Sequence, residues 1–269
     1  MNILLKENER IDDLEFKNLK IIQNKNGFCF GIDSILLTDF AKEMKPKSKV
    51  IDLGTGTGII PILLSKKTKS CNFIGCEIQK EVALMAERSV KINNLENQIE
   101  IENIDILDLK NKFKKGYFDV VTTNPPYKKI NTGLQNLNKE LLISRHEVTA
   151  SLEDFIDISA FLLKDFGEFY MVNRPDRLVD ILCIMRNKKI EPKKIRFVYP
   201  NKDKKTNLVL IKGVKNAKPF LQYEKNLYVY EENGEYSKEI LEIYNKKECD
   251  KKWMENYIWL QLQLEIWKI

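Results

Sequence analysis

The chain has 269 residues, 43% of them hydrophobic, enough for a real core at the upper edge of a single domain. Lys and Arg number 45 against 39 Asp and Glu, a net charge of +6 that permits an anionic partner without requiring one. The apolar run at 59–64 is far short of a membrane span, the start MNILLKENER lacks a secretory pattern, and five scattered cysteines with one histidine assemble no zinc site, so a cytoplasmic, metal-free protein is expected.

Apolar runs of strand length alternate with helix-period segments, the pattern of a mostly parallel α/β sheet. Residues 19–30 read as a small hairpin or strand pair, leading into a helix over 33–44. The first buried strand is 49–53, followed by a glycine-rich turn and a helix over 59–67. Residues 72–77 form the second strand, 80–93 a helix, 99–102 the third strand and 118–123 the fourth. A helix over 152–164 leads to a fifth strand at 168–172 and a further helix at 177–186. Residues 195–200 and 207–212 are two strands joined by a connection too short for a parallel crossover, so they should form an antiparallel pair. All three tryptophans lie in the last 17 positions, where 260–267 alternates in polarity. Residues 1–245 are expected to form one domain, with 246–269 an appended extension of unassigned role.

Two motifs carry chemistry. Between the first strand and its helix lies Asp52-Leu53-Gly54-Thr55-Gly56-Thr57-Gly58. Glycines there allow a sharp turn and close approach of a ligand to backbone N–H groups at a helix start. A dinucleotide fingerprint needs G-x-G-x-x-G, and the third slot here is Ile59. The spacing instead resembles motif I of class I S-adenosylmethionine (SAM) methyltransferases. Glu77, closing the second strand, can accept hydrogen bonds from both ribose hydroxyls. Asp105 and Ile106, past the third strand, can pair with the adenine amine and cover its ring, with Asp108 an equal candidate for the acidic position. A glycine turn can be only a turn, and a lone acidic residue is most often a solvated charge. Their joint occurrence favours cofactor binding.

The second motif is Asn124-Pro125-Pro126-Tyr127 at the end of the fourth strand, where ligands of open α/β sheets bind. An aromatic amine is a poor nucleophile because its lone pair is delocalised into the ring. Two acceptors, the Asn124 side-chain oxygen and the Pro125 carbonyl, would favour a pyramidal nitrogen with a localised pair. Pro126 stiffens the turn, and Tyr127 offers a stacking face for an unstacked base. No general base is required at first, since the nitrogen becomes strongly acidic once alkylated. Lys128 and Lys129 adjoin this pocket and are candidate phosphate contacts. The sole histidine, His146, and its neighbour Arg145 are expected to order a loop or touch RNA. The basic runs at 186–196 and 202–205 are expected to be solvated faces.

These motifs, in order with Phe28-x-Phe30-Gly31-Ile32-Asp33, Arg145-His146-Glu147, Asn173-Arg174-Pro175-x-Arg177-Leu178 and Lys194-Ile195-Arg196-Phe197-Val198, resemble the bacterial tRNA(Val) (adenine-37-N6)-methyltransferase family over 14–244. The resemblance implies a seven-stranded Rossmann-like sheet with an antiparallel last strand and helices on both faces. It further implies SAM as methyl donor and an anticodon-loop adenine of tRNA as acceptor, splayed out of its stack. In that light Phe28, Phe30 and Asp33 close over the cofactor, and Asn124 also borders it. Other amine acceptors keep the same motif, namely a release-factor glutamine or an rRNA guanine. The glutamine enzymes usually carry a larger N-terminal module than the roughly 45 residues here, and the guanine enzymes a different last motif residue. An RNA-binding scaffold that kept the fold is the non-enzymatic reading.

Overall fold

A computed structural model describes residues 5–27, 30–69, 71–127 and 150–245. The central sheet contains β3 (Lys49–Leu53), β4 (Asn72–Glu77), β5 (Ile99–Asn103), β6 (Phe118–Thr123), β7 (Leu163–Asn173), β8 (Ile190–Tyr199) and β9 (Leu208–Lys215). Its order across these strands is β8-β9-β7-β6-β3-β4-β5. All pairs from β7 to β5 are parallel, whereas β9 runs antiparallel to both β7 and β8. The expected seven strands and reversed last strand are thus present. Two further two-residue strands, β10 (Gln222–Tyr223) and β11 (Leu227–Tyr228), extend the outer edge along β8.

Alternate strand residues feed two separate cores, as the two-residue period of a strand requires. Val50, Val120, Tyr170 and Leu210 pack toward the helices α1 (Ile32–Phe40), α2 (Ile59–Lys67) and α3 (Lys80–Ile92). Ile51, Val121, Phe169 and Ile211 pack instead toward α4 (Leu109–Lys112), α5 (Leu152–Leu162) and α6 (Leu178–Asn187). The near-continuous apolar character of these strands follows from burial on both faces. A further helix, α7 (Lys238–Ile243), starts at a Ser237 cap and adds Ile240 and Ile243 to the first core.

Several boundaries differ from the sequence reading. The strand pair placed within 19–30 is instead formed by β1 (Glu9–Asp13) and β2 (Lys20–Asn24), antiparallel. The run Glu9-Arg10-Ile11-Asp12-Asp13 hides its strand character because its stability comes from outside itself. Glu9 is held by a two-pronged ion pair with Arg88 of α3 (2.6 and 2.6 Å), and Ile22 N–H donates to Ser89 Oγ (2.9 Å). These bonds dock the small sheet on α3. α1 ends four residues before the expected Met44, in a turn. α5 passes straight into β7 at Leu163 without a loop, five residues before the expected start. The ladder with β6 slips after that first pair, with Phe166 at φ 61° in the gap. β8 likewise begins at Ile190 rather than 195, because the register shift between Pro192 and Lys194 accommodates a proline that cannot donate to the ladder.

The chain leaves β3 toward β4 and β5 on one side and returns to β6 on the other. Such a switch point opens a crevice at the carboxyl ends of the flanking strands. Both motifs open onto it.

Candidate active site

The register of β3 and β6 sets Leu53 opposite Thr123, so Gly54 and Asn124 leave the sheet side by side. The Thr123 hydroxyl donates to the Leu53 carbonyl (3.0 Å) and ties the two ends together. The glycine loop and the Asn-Pro-Pro-Tyr turn are therefore adjacent walls of one cleft.

On the first wall, Gly54, Gly56 and Gly58 sit at φ 70°, 58° and 87°, a region that L side chains adopt only with strain. Gly58 is the N-cap of α2, and a Cβ there would press on Ala86 at 3.4 Å. A Cβ on Gly56 would meet nothing within 4 Å among the described residues, so the loop leaves space beside its midpoint there. Thr55 N–H donates to the Cys76 carbonyl (2.9 Å), pinning the loop to β4. Gly75 on β4 leaves room for it, since a Cβ there would lie 2.9 Å from the Thr55 side chain.

Glu77 is 7% exposed; its carboxylate accepts from Gly56 N–H (3.0 Å) and Gln79 N–H (2.9 Å). Burial raises its pKa, and these backbone N–H groups partly restore the ionised form. Asn103 donates to the Glu77 and Ile78 carbonyls (2.9 Å each), joining the end of β5 to the same wall. Asp105 caps a short turn by accepting from Leu107 N–H (3.0 Å), which leaves Ile106 buried beneath. Phe30 is buried, and its N–H donates to Gln23 (2.9 Å).

Asp52 lies deeper than its place in the motif suggests. It is 1% exposed, and its Oδ1 accepts from the Thr122 hydroxyl (2.7 Å). Its Oδ2 and the Thr55 hydroxyl are both buried, and among the described residues neither has a hydrogen bond of normal geometry. Burial pushes the Asp52 carboxyl up to about 7; the neighbouring Thr55 and Thr122 hydroxyls moderate the rise, and the Glu77 charge adds to it. The carboxyl stands beneath the glycine loop, between the strands.

The second wall is built from side chains. Asn124 Nδ2 donates to Asp33 Oδ2 (3.0 Å) and Ser34 Oγ (3.2 Å), both from the first turn of α1. The Tyr127 hydroxyl lies 2.7 Å from Asp33 Oδ2 and 2.8 Å from Asn124 Oδ1. Burial first, and the Asp33 charge second, raise the Tyr127 pKa well above its ordinary value, so it remains a phenol. Its ring packs on the first core, anchored in a fixed plane. Pro125 is buried and Pro126 exposed.

The candidate contacts Lys128, Lys129, Arg145 and His146, like Phe28, lie outside the described residues. In the basic run 186–196 several cations are ion-paired: Lys188 with Asp157 (2.9 Å), Lys194 with Glu224 (2.7 Å) and Arg196 with Glu239 (2.5 Å). Sequence reading did not single out Ser34, Thr55 or Thr122. Small hydroxyl residues carry no spacing signal, and only Ser34 had one available, as the neighbour of Asp33 at a helix start. Among the described residues no helix is long and apolar enough to cross a membrane.

A family model, the methyltransferase small domain, matches residues 14–180. The chain belongs to that family. Relatives of this methyltransferase include two proteins named tRNA1(Val) (adenine(37)-N6)-methyltransferase. The one from Histophilus somni (strain 129Pt) is 26% identical over 243 residues, covering 84% of this chain and 93% of that protein. The one from Porphyromonas gingivalis (strain ATCC 33277) is 27% identical over 240 residues, covering 86% and 93%. Among solved structures, a protein from Agrobacterium tumefaciens described as a predicted O-methyltransferase superposes with a TM-score of 0.65. It is 17% identical and covers 79% of this methyltransferase and 95% of its own chain. A geranyl diphosphate C-methyltransferase from Streptomyces coelicolor A3(2), in complex with S-adenosyl-L-homocysteine, gives 0.50 at 15% identity, covering 68% and 78%. These two likenesses establish the class I methyltransferase fold.

Proposed function

We propose that this methyltransferase transfers a methyl group from SAM to the N6 amine of an adenine in tRNA, at position 37 of a valine tRNA. The carrying observation is the adjacency of Gly54 and Asn124 at the ends of neighbouring strands, which sets a loop fit for the donor beside a turn fit for an aromatic amine. The names of the relatives, matched over most of both chains, supply the tRNA substrate. A tRNA substrate sets the reaction in the cytoplasm.

The cofactor wall fits SAM. The space that the described residues leave beside Gly56 gives room for a ligand against the backbone, and the buried Glu77 carboxylate suits two ribose hydroxyls. Gly54, Gly56, Gly58 and Glu77 would hold the donor, with Ile106 and Asp105 beside its adenine and Phe30 toward the N-terminal side. Asp52 supports the loop from below. When bound, SAM supplies an electrophilic methyl group on a sulfonium.

The chain's own residues prepare the acceptor. Asn124 Oδ1 and the Pro125 carbonyl accept the two N–H bonds of the target amine, favouring a localised lone pair. Pro126 limits the turn, and the anchored Tyr127 ring stacks on the base. The proton leaves to water after alkylation. Lys128, Lys129, Arg145 and His146 contact RNA in this reading, and 246–269 is an extension appended to a domain ending near 245.

The test removes the gene, digests total tRNA and rRNA and follows methylated nucleosides by mass spectrometry. Loss of N6-methyladenosine from tRNA, restored by purified protein with SAM, is expected. An unchanged tRNA profile, with or without a methylated nucleoside lost from rRNA, would overturn the substrate.

A further inference from the structure

The Asn124 carboxamide is held by residues some ninety positions upstream. Both hydrogens of its Nδ2 are used, one on Asp33 Oδ2 and one on Ser34 Oγ. Asp33 and Ser34 are 9% and 5% exposed, and Asp33 Oδ1 is itself fixed by Ser34 N–H (2.9 Å). Gly31 makes that carboxylate position possible, since a Cβ there would lie 2.8 Å from Asp33 Oδ1. A carboxamide with both N–H bonds spent can offer only Oδ1 to an incoming group. Turning it over would set Oδ1 against Asp33 Oδ2, two acceptors with no hydrogen between them.

Tyr127 sharpens this arrangement. Its hydroxyl has one hydrogen but two oxygen neighbours, Asp33 Oδ2 at 2.7 Å and Asn124 Oδ1 at 2.8 Å. The carboxylate is the stronger acceptor and takes it. Among the described residues, Asn124 Oδ1 then faces a phenol oxygen whose proton is already committed to Asp33, and it has no other hydrogen-bond donor.

We propose that Asp33 and Ser34 are positioning residues that lock the Asn124 amide nitrogen and leave its oxygen, which has no uncommitted donor among the described residues, for the substrate, so that the site selects a purine bearing an amine at C6 over one bearing a carbonyl. This rests on the adenine reading above. An amine brings the missing hydrogen, whereas a C6 carbonyl adds another oxygen to a cluster already short of protons. Sites built around a specific hydrogen bond reject analogues that cannot complete it, because the buried partner is left unsatisfied.

The test measures binding of two synthetic anticodon stem–loops, carrying adenosine or inosine at the target position, to the full-length protein with S-adenosylhomocysteine. The wild type should prefer adenosine by at least about tenfold. In the Asp33→Ala, Ser34→Ala double variant the amide is free to turn, and the preference should shrink to within about threefold. Its kcat on the adenosine RNA should fall about 50-fold while SAM affinity stays within about threefold. Asp33→Asn, which retains an acceptor oxygen, should recover at least about fivefold of that loss. If the double variant fails to fold, Ser34→Ala alone should lower both the preference and kcat by about two- to fivefold.

An unchanged preference and kcat in the folded variants would overturn the proposal, as would a wild type indifferent to the two RNAs. So would an Asp33→Ala variant that loses SAM affinity with its preference intact. If Asn124→Ala also leaves methylation intact, the adenine reading itself fails. If Asn124→Ala abolishes methylation while the Asp33 and Ser34 variants behave as wild type, only the positioning role fails.

Discussion

The two walls of the cleft are built on different principles. The cofactor wall is largely main chain: three left-handed glycines, a loop pinned to β4 through Thr55 N–H, and a carboxylate that receives backbone N–H groups from Gly56 and Gln79. The acceptor wall is a side-chain cluster, Asn124, Tyr127, Asp33 and Ser34, gathered from two ends of the fold. A main-chain cradle tolerates changes in the side chains around it as long as the turn can form. A side-chain cluster depends on each member and on the packing that brings a distant helix to it. The first arrangement suits a ligand whose charge and ribose are always the same. The second suits discrimination among acceptors that differ by a few atoms.

The sharpest way to break this comparison is Asn124→Ala. It should lower kcat by about a thousandfold, roughly 4 kcal/mol, with SAM affinity by calorimetry within about threefold of wild type. A parallel loss of SAM affinity would show that the walls are not separable. Glu77→Ala should do the reverse, weakening SAM binding by about 10- to 100-fold, because a buried carboxylate bonded to the loop is lost. Equal binding in calorimetry would remove Glu77 from the cofactor wall.

Asp52→Asn tests the support beneath the loop. The folded carboxyl titrates at about 7 against an ordinary 3.8, so its ionisation is disfavoured in the native state. Stability from this group is full below about pH 4 and declines as pH rises through about 7. The amide keeps an acceptor for Thr122 and gains a donor toward Thr55. In urea unfolding it should therefore be more stable than wild type by roughly 2–4 kcal/mol at pH 8, a gain that fades toward pH 4. A gain of equal size at both pH values would point to packing instead of charge. The smallest effect is expected from Lys194→Ala with Arg196→Ala. These cations are already paired with Glu224 and Glu239, so RNA affinity should change less than about threefold and the salt slope by less than about one.

The same division explains what the sequence made legible. Strands at Lys49–Leu53, Asn72–Glu77 and Phe118–Thr123 fall where the apolar runs place them, because burial on both faces leaves little choice of residue. The glycine loop and the Asn-Pro-Pro-Tyr turn are contiguous, so local chain chemistry announces them. The bonds from Asn124 to Asp33 and Ser34 span 91 and 90 positions, and that from Thr122 to Asp52 spans 70. No periodicity links such pairs. Asp33 could be marked as a site residue, but its hydrogen-bonded partners required the packed chain. β1 was hidden for a related reason: a charged segment becomes a strand when α3 supplies an arginine for its glutamate. β7 and β8 start earlier than expected because each absorbs a register slip that resembles a loop in sequence.

The reversed strand β9 lies between β7 and β8, both of which precede it in the chain. During synthesis the sheet must therefore wait with a vacant lane, and the row of backbone donors and acceptors along β7 stays uncovered until Lys215 has been made. An unpaired, apolar edge is a template for other chains, so the interval before β9 arrives is when this protein is most exposed to aggregation. This strand acts as a keystone, and a nascent chain stopped short of it would possess both catalytic motifs while lacking the piece that shuts the sheet.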